Sequence, residues 1–295
     1  MPVVEIARSV VLVGAGGRSH FRRFFKIMPI GKERYIEIIL LITVIVLGIN
    51  LNILDNDATN WDDPALFTRP SLQHMTPDNF KEVLSVEALS TYQPVRDITY
   101  MVDFALWGPG HNAVIFGMHL QNMVLFLLTV LACWMFLLAL FKIFVEDDSL
   151  AFTWATISSI LFAVHPVHVE SIAWLYARKE PLLGLFTFLS LWAFIRARTG
   201  AWAYYAASGV FLLLAILSKP TALMIPAAMI VLDFAIQARQ KSGSFWKTRL
   251  LVYVPILFVV IPMGIRLILM MNEAGGVKPY HGGSFSTNLL AVSQI

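Results

Sequence analysis

The run AVIFGMHLQNMVLFLLTVLACWMFLLALFKIFV, residues 113–145, decides the fold class. Its one charged side chain is Lys142, close to its end. About 18–20 apolar residues carry a helix across a hydrocarbon core of about 30 Å. This run is over-long for a single span and predicts a helix that tilts or projects beyond the bilayer. Other apolar stretches cover 35–54, 150–164, 182–195, 202–217, 221–236 and 250–271, and one more begins at Asn288. Several are short or hold Pro or Gly, as at Gly209, Pro226, Pro255, Pro262 and Gly264. The whole chain is 58% hydrophobic and 14% charged, against about 25% charged residues in a soluble domain. A globule this apolar could not cover its own surface with polar groups. The expectation is therefore an all-α, multi-pass integral membrane protein, a bundle of about seven to eight transmembrane helices.

Lysine and arginine bias sets the expected orientation. Residues 1–34 read as a basic cytoplasmic tail, with Arg8, Arg18, Arg22, Arg23, Lys26, Lys32 and Arg34. Alternate connections, holding Lys142, then Arg196 and Arg198, then Arg239 to Arg249, would face the same side. The arginines of the tail follow its weakly apolar run instead of preceding it, so it does not read as a cleaved signal peptide. Its Val13-Gly14-Ala15-Gly16-Gly17 lacks the glycine spacing and strand–helix–strand setting of a dinucleotide turn. The net charge of +3 is small, so nucleic acid is not an expected partner. The single cysteine, Cys133, lies in an apolar run and excludes a disulfide framework or thiolate metal site.

Three segments on the opposite, outward side hold the unusual polar chemistry. The first is the long loop 55–112, rich in carboxylates, with Asn60-Trp61-Asp62-Asp63-Pro64 as its most specific feature. Adjacent carboxylates just beyond a membrane helix can hold a divalent cation, magnesium or manganese, or one can take a proton from an acceptor hydroxyl. The plainer reading is an Asp cap or Asx-turn before Pro64. The second is the segment 165–180, from His165-Pro166-Val167-His168-Val169-Glu170 to Arg178-Lys179-Glu180. Glu170, Trp174 and Arg178 are spaced four apart, which predicts an amphipathic helix lying on the membrane surface. His165 and His168 have a spacing compatible with metal ligation but lack a zincin signature, and interfacial histidines bonded to backbone are commoner. Arg178 and Lys179 are suited to clamping a phosphate near the interface. The third is Ser218-Lys219-Pro220, where Lys219 needs a partner, either a lipid phosphate or an outward carboxylate.

A family resemblance rests on an ordered set of motifs. Trp61-Asp62-Asp63-Pro64-Ala65-Leu66 is followed by Tyr92-Gln93-Pro94-Val95-Arg96 and Ala105-Leu106-Trp107-Gly108. His119-Leu120-Gln121-Asn122, His165 through Ser171 and Ser218-Lys219-Pro220 come next. In that order, over residues 35–295, the chain resembles the membrane half of bacterial tetratricopeptide-repeat membrane proteins. These are similar to the animal transmembrane and tetratricopeptide-repeat (TMTC) O-mannosyltransferases of the GT-C glycosyltransferase class. The resemblance implies a GT-C-like transmembrane domain, a lipid-linked sugar donor and a catalytic carboxylate in the first outward loop. It implies transfer, O-mannosylation in those relatives, to an acceptor on the non-cytoplasmic side of the bacterial inner membrane. Asp62 and Asp63 fall on the family's acidic pair. His165, His168, Glu170, Arg178 and Lys219 fall on its other outward polar positions, and Tyr92, which opens the second motif, is a further candidate site residue. Such proteins continue into more helices and a repeat array, whereas no period of about 34 residues occurs here. The chain is thus expected to be a fragment or a degenerate paralogue, and the apolar run beginning at Asn288 is read as cut in mid-element at Ile295.

A polyprenyl-phosphate sugar needs an apolar groove for its tail, interfacial cations for its phosphate and a carboxylate near its sugar. Arg96, Arg178, Lys179 and Lys219 are the candidate cations, and Asp62 or Asp63 the base acting on a protein or glycan hydroxyl. The rival readings are a transporter of lipid-linked precursors and a non-catalytic membrane scaffold. A transporter would carry midplane charges and internal repeats. Here Asp233 and Arg266 are the exceptions to outward clustering, and no repeated half is seen.

Overall fold

The computed structural model describes residues 31–85, 92–108, 110–198 and 203–240, and residues 253, 256–258, 260–266 and 269. The tail up to residue 30, the connection 241–249 and the run from Asn288 lie outside the described residues. Among the described residues all regular structure is helical. Helix α1, Lys32–Asn50, continues as a 3-10 turn, Leu51–Asp55. Four short helices follow: α2 (Pro64–Thr68), α3 (Pro70–Gln73), α4 (Pro77–Leu84) and α5 (Pro94–Trp107). Then come α6 (His111–Phe144), α7 (Asp148–Ala163), α8 (His168–Ala173), α9 (Lys179–Arg198), α10 (Tyr204–Ser218) and α11 (Ile225–Gln240). Four stretches are long and apolar enough to cross a membrane: Lys32–Asp55, His111–Phe144, Leu175–Arg198 and Pro220–Arg239. Asp148–Ala163, Tyr204–Ser218 and Ile256–Arg266 are apolar but shorter. The architecture fits an integral membrane protein, with four full-length spans among the described residues where seven or eight were expected.

Local chemistry explains the helix starts. The long connection forms a cap of helices because Pro64, Pro70, Pro77 and Pro94 each stand in a first turn, where a missing N–H costs nothing. Thr76 caps α4 by accepting from the Asn79 N–H at 3.2 Å. Asp147 caps α7 by accepting from Ser149 and Leu150 N–H groups at 2.9 and 3.1 Å. Gly108, at φ 73°, ends α5 in a conformation that other residues adopt at a cost.

The 34 residues of α6 make a rod of about 51 Å, well beyond one bilayer, as its sequence predicts. Its middle packs with α1 and α7 around Val46, Phe126, Val130 and Trp134. Its far end packs with α9, α10 and α11 around Phe136, Phe194, Leu212 and Met229. Its first turns project into the cap, where Val114, Ile115 and Met118 join Leu66, Leu72, Val83, Tyr100 and Phe104. At this junction the Trp107 ring lies on Gly117, so close that a β-carbon there would come 2.2 Å from the indole. Gly117→Ala is expected to push Trp107 off α6 and cost about 1–3 kcal/mol, read as a lower unfolding midpoint in detergent.

The continuous amphipathic helix expected over 165–180 does not form. Helix α8 stops at Ala173, Trp174 is extended, and Leu175–Arg178 is a 3-10 turn. Glu170 remains exposed while Arg178 is fully buried, so the shared face is broken. The physical reason is that Arg178 finds its hydrogen-bond acceptors between α5 and α6, and the chain must break to reach them.

Candidate active site

Arg178 is the largest fully buried side chain, and the cap is fastened to the bundle around it. Its Nε donates to Asn122 Oδ1 at 2.6 Å and its Nη2 to the Met118 carbonyl at 3.0 Å. Its Nη1 donates to Asp103 and Gln121 and, at 3.4 Å, to Thr99. The guanidinium also lies 4.4 Å over the Tyr100 ring. Burial pushes the Asp103 carboxyl up to about 6, while the guanidinium pulls it back down. Burial raises the Tyr100 phenol as well, which keeps it a donor to the Leu175 carbonyl at 2.7 Å.

The two tandem aspartates have different surroundings. Asp63 is fully buried, and its Oδ2 accepts from the Thr59 N–H at 2.8 Å and the Thr59 hydroxyl at 2.9 Å. Its Oδ1 accepts from the Tyr176 N–H at 3.0 Å, across 113 residues of sequence. It stands at the start of α2 without capping it; the side chain instead ties the cap to the 3-10 turn. Buried His119 lies within reach of its charge. Asp62, one residue earlier, is exposed. With both Asp63 oxygens committed to protein donors, the pair does not fit a two-carboxylate seat for magnesium or manganese.

Lys179 forms no ion pair among the described residues, and its Nζ lies 5.3 Å from the Tyr176 ring and 5.9 Å from that of Trp174. The charges acting on it are those of Arg96, Glu180, Lys219 and Asp62. Arg96 lies 4.6 Å over the other part of this aromatic cluster, the Tyr176 ring. It is held by Asp97, to which its Nε donates at 2.8 Å, and Asp97 also pairs with Arg69 at 2.8 Å. The Nη1 of Arg96 has no hydrogen-bond partner among the described residues. Lys219 grips both Glu180 oxygens, at 2.6 and 2.8 Å, which makes a carboxylate its partner. Arg96 and Lys179 thus share the Tyr176 ring, Lys219 holds the Glu180 that follows Lys179, and Trp61, next to Asp62, packs on Trp174.

The remaining candidates have partners of their own. The Tyr92 hydroxyl donates to the Leu84 carbonyl at 3.2 Å. His165 Nδ1 accepts from the Val167 N–H at 3.2 Å, and the His168 ring packs 4.3 Å from that of Phe162. Among the described residues no three His, Cys, Asp or Glu side chains are grouped to hold a metal ion. Sequence reasoning passed over Asp97, Asp103, Gln121 and Asn122 as partners. The usable signal was His119-Leu120-Gln121-Asn122 within an apolar helix, because polar groups there must be partnered inside the protein.

Compared with known proteins, the chain is 28% identical over 184 residues to a protein O-mannosyl-transferase of Caenorhabditis elegans. The alignment covers 62% of this chain and 24% of that relative, so the chain spans about a quarter of the relative's length. No protein-family profile matches, and no solved structure matches.

Proposed function

We propose that the chain is the membrane part of a GT-C-type glycosyltransferase. It moves a sugar, mannose by likeness to the relative, from a polyprenyl-phosphate donor to a protein hydroxyl. The reaction takes place on the non-cytoplasmic face of a bacterial inner membrane, with the N-terminus cytoplasmic. The observation that carries this reading is the set of Arg96 and Lys179 against the Tyr176 and Trp174 rings, with Trp61, next to Asp62, packed on Trp174, beside an apolar helical bundle.

Asp62 takes the proton of the acceptor hydroxyl as that oxygen bonds to the anomeric carbon. The bond from that carbon to the phosphate oxygen breaks, and its electron pair stays on the phosphate. Lys179 and the unpartnered Nη1 of Arg96 meet the developing charge, with Lys219 behind them on Glu180. In-line attack inverts the sugar carbon.

The test is to incubate the protein in nanodiscs with polyprenyl-phosphate mannose and a serine- and threonine-rich peptide. The expected result is mannosylated peptide together with an equal amount of free polyprenyl phosphate. Failure to release the lipid phosphate and to label the peptide would overturn the reading.

A further inference from the structure

Trp61 is 78% exposed, a costly placement for so large an apolar ring. It is not a lone surface indole. Its ring meets that of Trp174 edge-on, with centroids 6.2 Å apart and planes at 89°. Tyr176 continues the cluster 6.3 Å beyond Trp174. The exposed carboxylate of Asp62 follows Trp61 directly in sequence. The Lys179 Nζ lies 5.9 Å from the centre of the Trp174 ring. The result is an aromatic corner bordered by the Asp62 carboxylate and the Lys179 ammonium, which forms no ion pair among the described residues.

A pyranose ring matches this arrangement. One of its faces presents several C–H groups, whose slight positive charge suits the negative face of an indole. Its rim carries hydroxyls that need acceptors and donors, and a neighbouring phosphate needs a cation. The geometry points to Trp61 and Trp174 as the seat of the donor's hexose ring, between Asp62 and the phosphate cations. This assignment rests on the glycosyltransferase reading and adds the sugar-recognising side chains to it. An interfacial aromatic anchor also explains exposure, but it calls for neither a second indole at a right angle nor a carboxylate beside it.

Titration calorimetry on the full chain in nanodiscs tests it with two probes, citronellyl phosphate and citronellyl-phosphate mannose. Wild-type protein is expected to bind the mannosylated probe more tightly than the bare phosphate. Trp61→Ala is expected to weaken the mannosylated probe by about two- to tenfold and to leave the bare phosphate unchanged. Trp61→Phe keeps part of the difference, and Trp174→Ala removes it in the same selective way. An equal loss on both probes marks Trp61 as an anchor, and no loss on either marks it as a bystander; each overturns the assignment. If wild-type protein binds the bare phosphate and gains nothing from mannose, the sugar seat fails while the phosphate site stands. Binding of neither probe overturns both.

Discussion

Asp62→Asn is expected to slow sugar transfer by about 10²–10⁴-fold, the usual worth of a general base, without moving the unfolding midpoint. Its side chain is exposed and forms no hydrogen bond or ion pair among the described residues, so the amide fits where the carboxylate was. Asparagine has no proton-accepting oxygen of comparable basicity, so only the chemistry is affected. Asp63→Asn makes the contrast. There an amide nitrogen would face the N–H of Thr59 or of Tyr176, and a buried donor would lose its acceptor. That costs about 1–3 kcal/mol of stability and loosens the turn that carries Tyr176 and Lys179. The two variants are separated by measuring transfer rate and thermal midpoint on the same preparations. Unimpaired transfer by Asp62→Asn would remove it from the mechanism.

The second large effect is on folding. Arg178→Met is expected to destabilise the protein by about 3–5 kcal/mol, because it leaves the buried Asp103 carboxylate without its cation. Gln121 and Asn122 lose their donor at the same time. The double variant Arg178→Met with Asp103→Leu should recover much of that loss, since an apolar pair of similar volume removes the uncompensated charge. Unfolding midpoints of the two variants in detergent check this. A residue that only clamped a donor phosphate would behave differently, losing donor affinity and keeping the wild-type midpoint. Wild-type stability in Arg178→Met would therefore return the guanidinium to the phosphate.

Much of this was legible in the linear chain. The hydropathy of 113–145 is enough to require a helix longer than a bilayer, because length and burial of backbone polar groups leave no other solution. The cap helices were not legible there, since the sequence predicts a loop over 55–112; Pro64, Pro70, Pro77 and Pro94 start them because a fixed φ and a missing N–H suit a first turn. The need of Lys219 for a counter-charge was also readable, although its choice of Glu180 was not.

Periodicity misled over 165–180. A spacing of four describes a shared face only if the helix continues, and the pull of Asp103, Gln121 and Asn122 on Arg178 ends it at Ala173. Composition and hydropathy determined that the chain is helical, with stretches long and apolar enough to cross a membrane. Only the tertiary structure decided which of two identical neighbours, Asp62 and Asp63, meets solvent and which holds the Tyr176 turn. A hydrogen-bond partner 113 residues away leaves no trace in local sequence, and the second oxygen of the buried Asp63 carboxylate is satisfied by it.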